Sequence, residues 1–354
     1  MNIAILFDGA SAFATEPDLL ILETVEAIEK SLLLEGNKVT RVPVHQDGKW
    51  IERMRRGKFD LAFNMCEGID GVASLEPAVI GVLELFGVPY TGSSAYTTSV
   101  CLRKNVVNTL LDRAGLPVPR FGVVRRGSPL PNVGFPAICK PAAEDASLGI
   151  EQRSVVRNTR QLAARVDAML ESWDEILVQR FVDGREVNVG VLGNTVLPIA
   201  EIDFRAMPEG KWRIVTYQSK WVSGSDEDLG AAPRCPARLP AKLAAEVRRV
   251  ALAAWNLVGG TGYGRVDMRI DDTGKPWILE VNANPDIAPD AGLARMARVA
   301  GTEYPALIRE ICENGLTRKF EQYERDGWVL AQRLSGVTLD ENNKPLDLFA
   351  AGGQ

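Results

Sequence analysis

Residues 264–282 read Gly264-Arg265-Val266-Asp267-Met268-Arg269-Ile270-Asp271-Asp272-Thr273-Gly274-Lys275-Pro276-Trp277-Ile278-Leu279-Glu280-Val281-Asn282. Val266, Met268 and Ile270 alternate with Arg265, Asp267 and Arg269; after the turn, Leu279 and Val281 alternate with Ile278, Glu280 and Asn282. Side chains on a strand have a period of two, so each strand predicts one apolar and one polar face. With the turn centred between Thr273 and Gly274, Asp267 falls opposite Glu280 and Arg265 opposite Asn282. Directly opposed carboxylates, about 5 Å apart at Cβ, destabilise a hairpin, so a positive group is expected between them. Two carboxylates and an Asn carbonyl form an oxygen-only set suited to Mg²⁺ or Mn²⁺ held together with phosphates. Neutralisation of both acids by Arg265 and Arg269, in an ordinary salt-bridged face, accounts for the same residues equally well.

Outward from this hairpin, the N-terminal part alternates strand and helix. Ile3–Phe7 is a short apolar run, and Ile21, Val25, Ile28 and Leu32 share one helical face before Gly36. Val39–Val44 and Phe59–Asn64 read as strands, and Leu75–Phe86 as a helix before Gly87. That rhythm predicts a parallel sheet wrapped by helices. Beyond Thr91 a helix over Lys104–Ala114 leads into strands at Phe121–Val124, Ala137–Lys140 and Ile176–Phe181, with one helix carrying Leu162, Val166 and Met169. Arg185–Leu192 and Val196–Ile202 flank a Gly193-Asn194 turn and predict a hairpin. A helix with Leu243, Val247, Val250 and Ala254, the 264–282 hairpin and two further helices complete the pattern. The fold class expected is α/β: a Rossmann-like domain over 1–95, lobes over 96–185 and 186–315, and an appended helix with a loose tail over 316–354.

Composition narrows the function classes. A chain of 354 residues, 46% hydrophobic and 25% charged, is long enough for two or three cores. Its net charge of −5 argues against a dedicated nucleic-acid or acidic-membrane binder. No run reaches the ~20 apolar residues of a membrane span, and the N-terminus reads as a first strand rather than a signal peptide. Five cysteines without a CxxC pair are expected to be reduced thiols in a cytoplasmic protein. A single histidine, His45, removes HExxH zinc sites and most Ser-His-Asp designs, and is itself read as a surface residue at a strand end. No GxxxxGK occurs, and no GxGxxG follows a strand. The Gly259–Gly264 cluster is expected to end a helix and turn the chain.

Gly264-Arg265-Val266-Asp267 with Leu279-Glu280-Val281-Asn282 resembles the metal-binding core of the ATP-grasp superfamily, in its D-alanine–D-alanine ligase branch. Tyr90-Thr91-Gly92-Ser93, Ile138-Cys139-Lys140-Pro141, Gly184-Arg185-Glu186, Tyr217-Gln218-Ser219-Lys220 and Cys235-Pro236-Ala237 follow in the family's order, over roughly residues 60–312. The resemblance implies a two-lobed ATP-grasp module, α+β in that part of the chain, binding ATP with Mg²⁺ or Mn²⁺ through Asp267, Glu280 and Asn282. Lys104 and Lys140 would hold phosphates, and Gln179 with the Arg180 and Phe181 backbone would hold adenine. Glu186 would bind the ribose, and a loop containing Ser147 would cover the triphosphate. Taken as ordinary structure, Lys140 is a solvated strand cap and Phe181 plain core. The implied reaction joins a small carboxylate to an amine through an acyl phosphate, with Arg265 and Lys220 serving the chemistry. A homodimer is expected from the resemblance alone.

The chain departs from the family pattern where amino-acid substrates are oriented. Phe13 stands at the first glutamate of the family's Ser-Ala-Glu stretch, Ala146 at its loop serine, and Trp221 after Lys220 where the family has tyrosine. Asp286 replaces a glycine whose backbone receives the second substrate's carboxylate. A carboxylate against a carboxylate is costly, so the pattern implies an amine that is cationic or lacks a free carboxylate. As ordinary structure, Asp286 instead caps a helix through Gly292–Ala300. A true D-alanine–D-alanine ligase and a nucleotide-binding module without catalysis remain the alternatives to an altered ligase.

Overall fold

The computed structural model describes residues 1–9, 16–144 and 147–317, with the short antiparallel pair Thr338–Leu339 and Pro345–Leu346. The family's Ser-Ala-Glu counterpart around Phe13, the loop position Ala146 and most of the expected C-terminal helix and tail lie outside the described residues.

Three sheets follow one another along the chain. Strands β1 (Asn2–Asp8), β2 (Lys38–Val44) and β3 (Leu61–Asn64) form a parallel sheet in the order β2-β1-β3. Helix α1 (Glu16–Leu34) lays Val25, Ile28 and Leu32 on one face of this sheet, as their spacing requires. Gly36, at φ 74°, turns the chain out of the helix. On the sheet's other face, α2 (Lys49–Arg56) and α3 (Glu76–Leu85) bury Trp50, Met54, Val79, Ile80 and Leu83.

Helices α4 (Ala95–Cys101) and α5 (Lys104–Arg113) lead to a four-stranded antiparallel sheet, ordered β4-β7-β5-β6. Its strands are β4 (Phe121–Val124), β5 (Ala137–Pro141), β6 (Val155–Val156) and β7 (Ile176–Arg180), and α6 (Thr159–Met169) covers one face with Leu162, Val166 and Met169.

The third sheet is antiparallel and runs β11-β10-β8-β12-β13, with β9 beside β8. It comprises β8 (Arg185–Leu192), β9 (Thr195–Val196), β10 (Ala200–Asp203), β11 (Ala232–Arg234), β12 (Tyr263–Ile270) and β13 (Pro276–Asn282). The hairpin expected over 185–202 forms, but its second strand breaks at Pro198, which has no N–H to give the ladder. Val187, Val189, Val266, Met268 and Val281 pack under α5 and α9 (Ala241–Leu257). The first and third sheets share a core, with Ile3, Ile5 and Phe7 beside Leu192, Tyr263, Leu293 and Met296. The floor of the third sheet is thereby fixed against the N-terminal sheet.

The decisive hairpin differs from its expected form in one respect. Arg265 pairs with Asn282 and Asp267 with Glu280, but a bulge follows and Met268 pairs with Ile278. The extra residue, Leu279, therefore turns to the polar face and Ile278 into the core, where it is fully buried.

Candidate active site

A cleft of about 780 Å³ opens between the sheets, lined on one side by β5 and β7 and on another by the polar face of β8, β12 and β13. Lys140, the last residue but one of β5, is 7% exposed, so it is a buried cation rather than a solvated cap. Burial pushes its ammonium below the ordinary lysine value; Glu280 opposes that shift and Lys104 adds to it. Lys104, the first residue of α5 and 6% exposed, places Nζ 2.5 Å from Glu280 Oε1 and donates to the Glu144 carbonyl. These two lysines, 36 residues apart in sequence, converge because α5 begins beneath the end of β5, where the Lys104 N–H donates to the Ala142 carbonyl at 3.0 Å.

Across the hairpin, each opposed acid has its own cation. Arg265 grips Asp267 with a two-pronged contact (Nε–Oδ1 2.7 Å, Nη2–Oδ2 2.9 Å). Burial works against the guanidinium's charge, but Asp267, Glu280 and Asp286 outweigh it and hold Arg265 firmly protonated. Glu280 meets Lys104. Arg269 turns instead to Glu186, so only the Arg265 half of the ordinary salt-bridge reading applies. Asp267 also accepts from Asn188 Nδ2 at 2.6 Å and from Asn282 Nδ2 at 2.9 Å. Both amide nitrogens point at Asp267, so both amide oxygens face away from it. Hard divalent cations take such oxygens, and by chemistry Asp267, Glu280 and Asn282 are an oxygen-only donor set suited to one, with the Asn282 oxygen turned from Asp267 in this arrangement. Among the described residues no cluster of three or more His, Cys, Asp or Glu forms an alternative metal site.

Gln179 is 1% exposed, lines the cleft, and its Nε2 is buried with no partner. An unmade buried amide bond is costly, and this group has an N–H to give to an acceptor in the cleft. The neighbouring backbone is less free than expected. The Arg180 N–H donates to Arg120 O at 2.7 Å and the Phe181 N–H to Pro136 O at 2.9 Å, so neither is left as a donor to a ligand. Phe181 is both core and cleft wall, packed with Ile138, Val155 and Ile214. Glu186 and Ser147 also line the cleft, Ser147 with φ at 61°.

Two residues assigned to the chemistry sit at its margin. Lys220, at the end of the short helix α7 (Tyr217–Trp221), is exposed at the cleft mouth with Nζ 5.1 Å from the Trp221 ring centroid. Trp221 itself is not among the residues lining the cleft. Asp286 does line it and is exposed; its Oδ1 accepts the Ala288 N–H at 2.9 Å. The helix α10 (Gly292–Val299) begins after Ala291, so Asp286 closes a tight turn and does not cap that helix. Nearby, Asn284 joins the two ends of the molecule: it accepts from Tyr263 Oη at 2.9 Å and donates to Cys66 O and Glu76 Oε1.

Sequence reasoning missed Asn188, Arg269 and Asn284 as site-building residues. Their signal was register: Asn188 lies opposite Asp267, and Glu186 opposite Arg269, on adjacent strands. His45 follows β2, as expected, and pairs with Asp70 at 2.8 Å. All five cysteines are free thiols, four of them buried. Among the described residues no helix is long and apolar enough to cross a membrane.

The family profile for the D-Ala–D-Ala ligase C-terminus matches residues 110–313. A D-alanine–D-alanine ligase of Citrifermentans bemidjiense is 32% identical over 88% of this chain and 95% of its own. A protein of Sinorhizobium fredii bearing the name uncharacterized protein y4sG is 32% identical over 73% of this chain and 76% of its own. The crystal structure of D-alanine–D-alanine ligase from Bacillus anthracis complexed with ATP superposes with a TM-score of 0.74, at 22% identity, over 91% of this chain and 99% of that one. With its hairpin, cleft and sheet order, this chain belongs to the D-alanine–D-alanine ligase family and has the ATP-grasp fold.

Proposed function

We propose that the protein is an ATP-dependent, ADP-forming ligase that joins a small carboxylate to an amine through an acyl phosphate. The observation that carries this reading is the convergence of Lys140, Arg265, Asp267, Glu280 and Asn282 on one cleft, with Lys104 paired to Glu280 behind its wall. Residues 1–95 and 186–315 would enclose the substrates, and the nucleotide would lie between residues 96–185 and 186–315. Gln179 pairs with the adenine edge, which offers both an acceptor and an amino donor to one amide. Glu186 accepts from the ribose, and Lys104 and Lys140 take the phosphates.

The substrate carboxylate attacks the γ-phosphorus and ADP leaves, giving the acyl phosphate. The amine then attacks the acyl carbon, the tetrahedral intermediate expels phosphate, and the amine proton passes to solvent or to the departing phosphate. Phosphoryl transfer needs little beyond positioning and charge stabilisation. Arg265, rigid on β12, offers a planar fork to the oxyanion, and Lys220 closes on the mouth from α7. A Mg²⁺ or Mn²⁺ ion held by Asp267, Glu280 and Asn282 would neutralise the charge that develops on the transferring phosphates. Exclusion of water keeps the acyl phosphate from hydrolysis.

Asp286 sets the substrate reading. Its carboxylate is exposed in the cleft, close enough to Arg265 to influence its charge. An amine with a free carboxylate would be repelled there, so the incoming amine is cationic or has no free carboxylate. The names of the relatives favour a second reading, in which D-alanine is both substrates. Phosphate release is measured with ATP, Mg²⁺ and a panel of amino acids, amides and diamines, for wild type and D286G. Release with a cationic or carboxylate-free amine, lost in D286G, supports the altered pocket. Equal D-alanine dipeptide formation by both proteins removes it, and no release with any pair favours a non-catalytic ATP-binding module. The cytoplasm and a homodimer belong to this proposal, and sedimentation tests the latter.

A further inference from the structure

Arg269 is 2% exposed and lies where the nucleotide lobe joins the third sheet. Its Nε and Nη2 reach Glu186 Oε2 at 3.2 and 2.8 Å, its Nη1 donates to the Val182 carbonyl at 2.9 Å, and its Nη2 also donates to the Arg213 carbonyl. The guanidinium carbon lies 4.9 Å from the Phe181 ring centroid. Phe181 is held edge-on by Trp212, centroids 5.2 Å apart. The connection is pinned a second time at Gly184, where a Cβ would sit 2.0 Å from the Ile270 carbonyl oxygen. One side chain thus ties three segments: the chain leaving β7, the start of β8, and the loop through Arg213 that runs on to Lys220.

Burying a guanidinium is expensive, and a well-packed apolar residue often serves stability as well or better. What an apolar residue could not do is fix the direction of a neighbouring carboxylate. Glu186 lies directly opposite Arg269 in the ladder and lines the cleft. We propose that Arg269 is a positioning residue for nucleotide recognition, holding the Glu186 carboxylate in the orientation that receives the ribose hydroxyls and locking the Phe181–Val182 connection beside the adenine. The proposal rests on the reading of Glu186 as the ribose acceptor.

The test is titration calorimetry of the full-length protein with Mg-ATP and with Mg-2′,3′-dideoxy-ATP, which lacks both hydroxyls. A hydrogen bond to an ionised, fixed carboxylate predicts that wild type binds ATP about tenfold or more tightly than the dideoxy nucleotide. In R269M the ratio falls towards one, as it does in E186Q. R269K keeps the charge but cannot reach three acceptors at once, and its ratio falls in between; it carries the test if R269M does not fold. A purely structural arginine would weaken both nucleotides alike, together with the melting temperature, and leave the ratio untouched. A wild-type ratio retained in R269M and R269K overturns the role of Arg269 while leaving Glu186 its own. A wild type that does not discriminate overturns the Glu186 reading, and this proposal with it.

Discussion

Replacing Glu280 with glutamine separates the observed duty of the carboxylate from the one proposed for it. Without nucleotide it is the counter-charge of Lys104, 2.5 Å away, with the lysine 6% and the glutamate 23% exposed. At that contact, an effective dielectric near 20 gives a gross attraction of about 7 kcal/mol. Removing one member of a buried pair costs about 3–5 kcal/mol, because the other charge stays behind. Lys104 keeps the Glu144 carbonyl and Glu280 is partly wetted, which brings the expected loss to about 2–3 kcal/mol. For a protein of this size that is a fall of roughly 3–4 °C in the melting temperature. Phosphates would supply Lys104 with a new partner, so added ATP should stabilise E280Q by at least as much as it stabilises wild type. Phosphate release should nonetheless fall by about two orders of magnitude, since a ligand of the cation is gone. Differential scanning fluorimetry with and without ATP, beside a phosphate-release assay, reads all three quantities. An E280Q melting point within 2 °C of wild type would refute the counter-charge role.

Three further outcomes follow from the same geometry. Lys140 titrates below 10.5 in the folded protein, so the unfolded chain binds more protons between the lowered value and 10.5, and folding stability gains from this group as pH rises through that interval. ATP affinity should fall over the same interval as the ammonium is lost, and calorimetry that finds both unchanged up to pH 10.5 contradicts the burial of Lys140. G264A would bring a Cβ to 2.2 Å from the Trp255 ring and 3.0 Å from Asn282 O; a destabilisation of about 1–3 kcal/mol, with weaker Mg-ATP binding, is expected from chemical melts and calorimetry. Burial pushes the Cys139 and Cys312 thiols up to about 12, so iodoacetamide at pH 7.5 should modify Cys235, the half-buried one, ahead of both; labelling of either before unfolding goes against the fold.

The local periodicities carried most of the fold. The helical face of Val25, Ile28 and Leu32 and the alternation of Val266, Met268 and Ile270 needed only one geometry each, and both packed as their spacing demanded. The pairing of Asp267 with Glu280 came from a turn placed between Thr273 and Gly274, whereas the ladder beside the turn is centred on Thr273 and the bulge brings the two acids back into register. The bulge at Leu279 was not readable, since no glycine or proline stands at it and Ile278 and Leu279 are both apolar. Partners brought together by topology were beyond sequence as well. Nothing local says that Lys104 meets Glu280, or that Arg269 prefers Glu186 on β8 to the acids of its own hairpin. Lys140 shows the same limit in reverse: a lysine before a proline reads as a solvated strand end until a second lobe covers it.

The account turns on a divalent cation gripped between β12 and β13 while the nucleotide occupies the cleft. A crystal grown with a non-hydrolysable ATP analogue and Mn²⁺, measured at a wavelength where manganese scatters anomalously, tests this directly. The account predicts an anomalous peak about 2.1 Å from carboxylate oxygens of both Asp267 and Glu280 and in contact with analogue phosphates. A nucleotide seated in the cleft with Asp267 still clasped by Arg265, Glu280 still on Lys104, and no peak between the two acids would contradict it.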